Sequence, residues 1–132
     1  VTKLVWYVAF GSGVGGVVRL LLGNFIQQRM GASFPLGTLV INITGSFLLG
    51  FLIRYALGTP DVTPEIRAMV TTGFCGGYTT FSTYSYETAT LIEDGRYERA
   101  ALYMFLSVAI ALLGVFSGFA TARQVLAFRS TG

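Results

Sequence analysis

The chain of 132 residues has no histidine, one cysteine and three prolines, and only 11% of its residues are charged. Each shortage excludes something. Without histidine, the commonest general base and metal ligand is missing. The single cysteine, Cys75, lies inside an apolar stretch, can form no intrachain disulfide and says nothing about redox compartment. No Cys/His cluster, phosphate-binding loop or nucleophile elbow occurs, so an enzyme reading has little support. A soluble domain carries roughly 25% charged residues, and water could not solvate a surface this poor in charge. The net charge of +3, from nine basic and six acidic residues, makes no case for nucleic acid as a partner.

What is abundant is apolar. Such residues make up 53% of the chain and mean hydropathy is +0.66. The length suits one domain, with lipid replacing much of the core. A helix needs about 20 mainly apolar residues to cross the hydrocarbon layer. Leu4 to Gly23 is the first such span, interrupted only by Arg19. Leu36 to Leu57 is the second, and Ala100 to Leu126 the fourth. The N-terminal run is too long for a signal peptide, and no small-residue cleavage site follows it. The connections at Asn24 to Pro35, Gly58 to Thr63 and Arg96 to Arg99 are short and polar. The expected fold is an all-α integral membrane protein of four transmembrane helices, in a single membrane domain over residues 1–132.

The third span, over residues 65–92, differs from the others. Thr63 suits an N-cap, Pro64 the first turn, and Glu65 complements the helix dipole. Its middle reads Gly73-Phe74-Cys75-Gly76-Gly77-Tyr78-Thr79-Thr80-Phe81-Ser82-Thr83, and three glycines with a hydroxyl cluster make poor helix interior. The expectation is two half-helices joined by an unwound stretch near residues 76–79. Membranes tolerate such backbone only where protein buries it or where it lines a polar cavity. Broken helices at the midplane typically coordinate ions or substrates.

With four spans, Lys3, Arg54, Arg67, Arg123 and Arg129 share one side, and Arg29, Arg96 and Arg99 the other. That weak bias fits a modest orientation preference or insertion both ways. Small residues four apart, at Gly11/Gly15, Ser12/Gly16 and Gly114/Gly118, let helix backbones approach within a subunit or between subunits.

The polar residues inside the spans carry the functional signal. Thr38, Asn42 and Gly45/Ser46 fall on one face of the second helix. Asn42 is either interhelical glue or a donor to a solute. On the fourth helix Tyr103, Ser107, Ala111, Gly114 and Gly118 form a stripe. Taken alone, Ser107 reads as a helix serine bonding back to its own i−4 carbonyl. Phe81 and Tyr84 share a face of the third segment, as aromatic packing or a lining, with Ser82 and Thr83 adding hydroxyls. Glu87 is an interfacial acid or part of the path. Arg19 snorkels, or pairs with a carboxylate or a helix C-terminus. Together these residues describe a path with amide and hydroxyl donors, aromatic rings and no mid-depth Lys or Arg. Conduction needs weak, multiple sites. Neutral donors can replace an anion's water without trapping it, and a cation could instead sit on carbonyls freed at the break.

Gly15-Gly16-Val17-Val18-Arg19, the stretch Gly37 to Phe47 (GTLVINITGSF) and Gly73 to Thr83 resemble the Fluc family of microbial fluoride channels across essentially the whole chain. The resemblance implies an antiparallel, dual-topology homodimer with two fluoride pores in the cell's inner (plasma) membrane. It implies passive export of F− and a structural Na+ at the dimer centre, on backbone carbonyls of Gly76 and Thr79. Asn42 would be the pore asparagine, Phe81 the first pore ring, and Tyr84 stands where the family usually has Phe. Tyr103 and Ser107 match the fourth-helix pore residues, Thr38 a vestibule threonine, Ser82 and Thr83 a polar track, and Glu87 an acid near the far end. Two transport alternatives remain in view. A proton-coupled fluoride carrier would need a titratable group on the path, for which Glu87 is the candidate. A small multidrug antiporter would need an acid in its first span, which holds only Arg19. A membrane scaffold without transport is the third.

Overall fold

The computed structural model describes residues 1–31 and 33–131 of the chain. Every regular element among them is helical. Helix α1 spans Thr2–Met30 and α2 spans Leu36–Leu57. The broken segment follows: α3 at Pro64–Ala68, a π-helical stretch at Met69–Cys75, α4 at Gly76–Tyr78 and α5 at Phe81–Glu93. Helix α6, Tyr97–Thr131, closes the fold. Three helices, α1, α2 and α6, are long and apolar enough to cross a membrane. The molecule is a multi-pass membrane protein. Its surface agrees, with Trp6, Phe10, Leu21, Phe105, Leu113 and Phe116 all exposed.

Helix α1 runs seven residues past the expected Gly23, and Gln27 is the reason. Its side-chain amide donates to the carbonyls of Gly31 and Phe34 at 2.7 and 3.0 Å, and its oxygen accepts from Gly37 N–H at 3.0 Å. One side chain thus ties the end of α1 to the start of α2. The turn before the third segment is built as its composition requires, with Thr63 Oγ1 accepting from Ile66 N–H and Pro64 opening the helix.

The break differs from the expected stretch at residues 76–79. Gly76 to Tyr78 remain helical, and only Thr79 and Thr80 are extended, with φ/ψ of −86/159° and −151/119°. Gly77 keeps its helical turn because α1 packs against it closely at Ser12. The helix ends one residue later because Thr79 N–H and Thr79 Oγ1 both bond the Cys75 carbonyl, and Thr80 N–H turns elsewhere. The preceding π-winding, a rare form that is frequent at functional sites, was not expected.

Two backbone-to-backbone seams hold the bundle. Helix α1 runs alongside residues 64–78 in the same direction. A β-carbon at Gly15 would press into the Phe74 carbonyl and lie 2.9 Å from Tyr78 N, and one at Gly77 would lie 2.9 Å from Ser12 Cα. Helices α2 and α6 run parallel in the same way, with Gly50 on Val115 and Gly118 on Phe47 and Phe51. Lipid tails are as apolar as leucine, so close packing must supply the attraction. The pairs Gly11/Gly15 and Gly114/Gly118 therefore serve contacts within the chain, whereas Gly13 and Gly16 meet nothing within 4 Å.

Gly15→Ala is expected to destabilise the protein by about 1–3 kcal/mol through overpacking. Gly13→Ala, on an open helix surface, is expected to be neutral or to stabilise by up to about 1 kcal/mol. Thermal unfolding of both variants in one detergent checks the contrast.

Candidate functional site

The break creates a shortage of hydrogen bonds, and Asn42 on α2 makes it good. Its Nδ2 donates to the Thr80 carbonyl at 3.0 Å, and its Oδ1 accepts from Thr80 N–H at 2.8 Å. An amide side chain thus pairs with a backbone peptide as a neighbouring strand would. A side-chain amide sets an N–H donor beside a carbonyl acceptor on one planar group, the same pairing face a peptide presents. Thr80 also caps α5, its Oγ1 accepting from Thr83 N–H at 3.1 Å. On the other side of the break, Arg19 Nε donates to the Gly77 carbonyl at 3.1 Å. Arg19 therefore pairs with a helix C-terminus, as one of the sequence alternatives had it.

Two cavities meet at this point. The larger, an open groove of about 610 Å³, is lined by Asn42, Ser46, Gly76, Thr79, Phe81, Tyr84 and Ser107 among others. The smaller, about 190 Å³, is bordered by Arg19, Asn24, Thr38, Thr83 and Glu87 among others. Thr80 borders both. The Asn42–Thr80 pair thus stands at the boundary between an open groove and a polar vestibule. Ser82 is exposed, borders neither cavity, and lies 3.4 Å from Thr80 Oγ1.

A row of rings continues the groove. Phe81, Tyr84, Tyr103 and Phe34 follow one another with centroids 5.4, 5.2 and 5.5 Å apart. Phe34 was not among the sequence candidates, since a lone aromatic in a Ser33-Phe34-Pro35 turn gives no signal. Phe81 is 79% exposed, whereas Tyr103 is fully buried. Tyr103 donates to Glu87 Oε1 at 2.9 Å, so its hydroxyl hydrogen is already committed. Ser107 is the opposite case. Its Oγ is buried and has no partner, so the bond back to its own helix read from sequence is not made. A buried hydroxyl left unpaired costs about 1–3 kcal/mol, and Ser107 is among the residues that border the same groove as Asn42 and Phe81.

The break also frees acceptors. The Gly76 carbonyl loses its usual i+4 donor because Thr80 N–H is turned to Asn42. The Thr79 carbonyl loses its own because Thr83 N–H is bonded to Thr80 Oγ1. Gly76 faces the open groove, with nothing within 4 Å of a β-carbon position. No cluster of acidic, histidine or cysteine ligands exists among the described residues. A cation bound here would use carbonyl oxygens, which suit a hard ion. The donor set therefore fits an alkali cation.

A multi-pass helical protein with a broken helix, unspent neutral donors and no mid-groove basic residue has the features of an ion-conducting membrane protein. The family model described as "CrcB-like protein, Camphor Resistance (CrcB)" matches residues 6–119, and the chain belongs to that family. A protein of Geobacter sulfurreducens named fluoride-specific ion channel FluC is 44% identical over 94% of this chain and 99% of its own length. One of Rhizobium meliloti with the same name is 41% identical over 90% and 95%. Fluoride-specific ion channel FluC 1 of Leifsonia xyli subsp. xyli is 47% identical over 87% and 86%.

Asn42→Leu is expected to cost about 2–3 kcal/mol by removing two partly buried hydrogen bonds and stranding the Thr80 peptide. Ser107→Ala is expected to leave stability unchanged or raise it, since no bond is lost. Unfolding midpoints of the two variants check the pair of signs.

Proposed function

We propose that this protein is a fluoride-selective channel that lets F− leave the cytoplasm down its electrochemical gradient. The observation that carries the reading is the buried, unpartnered Ser107 hydroxyl in a groove lined by neutral donors. The names of the relatives supply the identity of the ion. The chain is a channel and not an enzyme. Fluoride is small and strongly hydrated, so shedding its water is the main barrier. Asn42 keeps one N–H beyond its bond to Thr80, and Ser107 keeps its O–H. These groups and the positive edges of Phe81 and Tyr84 replace water piecemeal, as fast passage requires. In the vestibule, Arg19 draws the anion in, and Thr38 and Thr83 offer hydroxyls. The Tyr103–Glu87 pair fixes the ring row. HF that crosses the bilayer dissociates inside the cell, and the trapped F− exits passively.

The active form in this reading is an antiparallel, dual-topology homodimer in the inner (plasma) membrane, with two pores. Support comes from the openness of the groove: Phe81, Gly76 and Thr79 border a face that one chain leaves uncovered. A structural Na+ would be held by the Gly76 and Thr79 carbonyls at the centre of that face, joining the two copies.

Fluoride efflux from proteoliposomes, with chloride as the control ion, tests the function. Rapid fluoride loss with little chloride loss is expected. Ser107→Ala and Asn42→Asp are each expected to slow efflux about tenfold or more, the second by putting a negative acceptor where a donor stood. Absence of fluoride flux from well-folded protein would refute the channel. A steep pH dependence abolished by Glu87→Gln would instead establish a proton-coupled carrier. Exchange of Na+ for a larger cation is expected to lower dimer stability, and unchanged stability after full exchange would remove the ion from the reading. Single-cysteine labelling that reaches each site from one side only would sink the dual topology.

A further inference from the structure

The two ends of the bundle differ in charge. One end collects Lys3, Arg54, Arg67, Arg123 and Arg129 against Asp61 and Glu65. The other collects Arg29, Arg96 and Arg99 against Glu93, Asp94 and Glu98. On the basic end, Asp61 is already engaged by Arg129 at 3.1 Å. Arg129 also donates to Tyr55 Oη, so its fork is occupied. Arg54 and Arg123 are different. Among the described residues neither forms an ion pair or donates a hydrogen bond, and both are exposed. Each guanidinium presents five N–H groups suited to two oxygens of a phosphate.

Their placement is fixed by the α2–α6 seam. The Arg54 guanidinium carbon lies over the Phe119 ring, 3.9 Å from its centroid. Arg123 follows Phe119 by one turn on the same face of α6. The parallel helices place Gly50 on Val115 and Gly58 on Leu126, so Arg54 and Arg123 lie within about one helical turn of each other along the bundle axis. That region is the headgroup layer. Helix α2 has 22 residues, about 33 Å at 1.5 Å per residue, against a hydrocarbon thickness of about 30 Å. Arg54 is in its last turn. Phe51 and Tyr55, stacked at 5.8 Å, form an aromatic wall beside it at the depth where such rings anchor a protein.

We propose that Arg54 and Arg123 form a binding site for the phosphate of an anionic phospholipid, with Phe119 holding the Arg54 fork in place. An anionic headgroup matches the surplus charge of this end, and a zwitterionic lipid brings its own cation. The site lies outside the groove and the vestibule, so it is independent of the conduction reading.

Lipid retention on purified protein tests it, by native mass spectrometry from micelles doped with phosphatidylglycerol or phosphatidylcholine. The native chain is expected to retain phosphatidylglycerol in preference. Arg54→Gln with Arg123→Gln is expected to reduce that retention about thirtyfold, at roughly 1 kcal/mol for each of the two cations near an anionic surface. Arg96→Gln with Arg99→Gln at the other end is expected to leave it unchanged. If the glutamine pair fails to fold, Arg54→Lys with Arg123→Lys keeps the charge and loses the fork, and is expected to reduce retention about threefold. Equal retention of the two lipids, or undiminished phosphatidylglycerol on a folded variant pair, would overturn the site. Inorganic phosphate binding the same arginines as tightly in lipid-free micelles would reassign it to a soluble anion and overturn the lipid reading.

Discussion

The pairing of the Asn42 side chain with the Thr80 peptide is the interaction on which the rest of the site depends. A helix broken inside a membrane leaves polar backbone with no water to satisfy it. Asn42 supplies a donor and an acceptor at the right separation, both near 3 Å. Because Thr80 N–H is taken, the Gly76 carbonyl goes free. Because Thr80 is extended, its hydroxyl can cap α5, and α5 is thereby aimed so that Phe81 and Tyr84 border the groove. One amide thus sets the break, the freed carbonyls and the direction of the ring row.

The glycine seams give that arrangement its rigidity. Residues 64–78 lie backbone to backbone on α1, and α2 lies likewise on α6. Asn42 belongs to one seam and Thr80 adjoins the other, so their hydrogen bonds join two stiff pairs of helices. Arg19 adds a third tie from α1 to the Gly77 carbonyl. The break is short, two residues, because each flank is held.

Much of this was legible in the sequence, for identifiable reasons. Length and apolarity located the three long helices α1, α2 and α6, since bilayer thickness leaves little choice. Glycine and threonine crowding located the break, but three of the residues expected to unwind, Gly76, Gly77 and Tyr78, stay helical: the glycines are poor helix formers alone, yet tight packing on α1 keeps Gly77 in the turn. The extension of α1 to Met30 rests on Gln27 bonding across a turn, which no periodicity announces. Asn42 could be singled out as the one amide of its span, but its pairing with a backbone peptide 38 positions away needed the tertiary fold. Ser107 is the instructive case. Local rules favour a bond to its own helix, and only the structure reveals the hydroxyl to be unspent.

The accounting of Asn42 bears on speed. Of its two amide hydrogens and its carbonyl oxygen, one hydrogen and the oxygen are spent on Thr80. A single hydrogen remains for a passing solute. The Tyr103 hydroxyl is spent on Glu87 as well. In the channel proposed above, an ion beside Asn42 would meet a single free amide hydrogen, and a site that binds weakly is one that empties quickly.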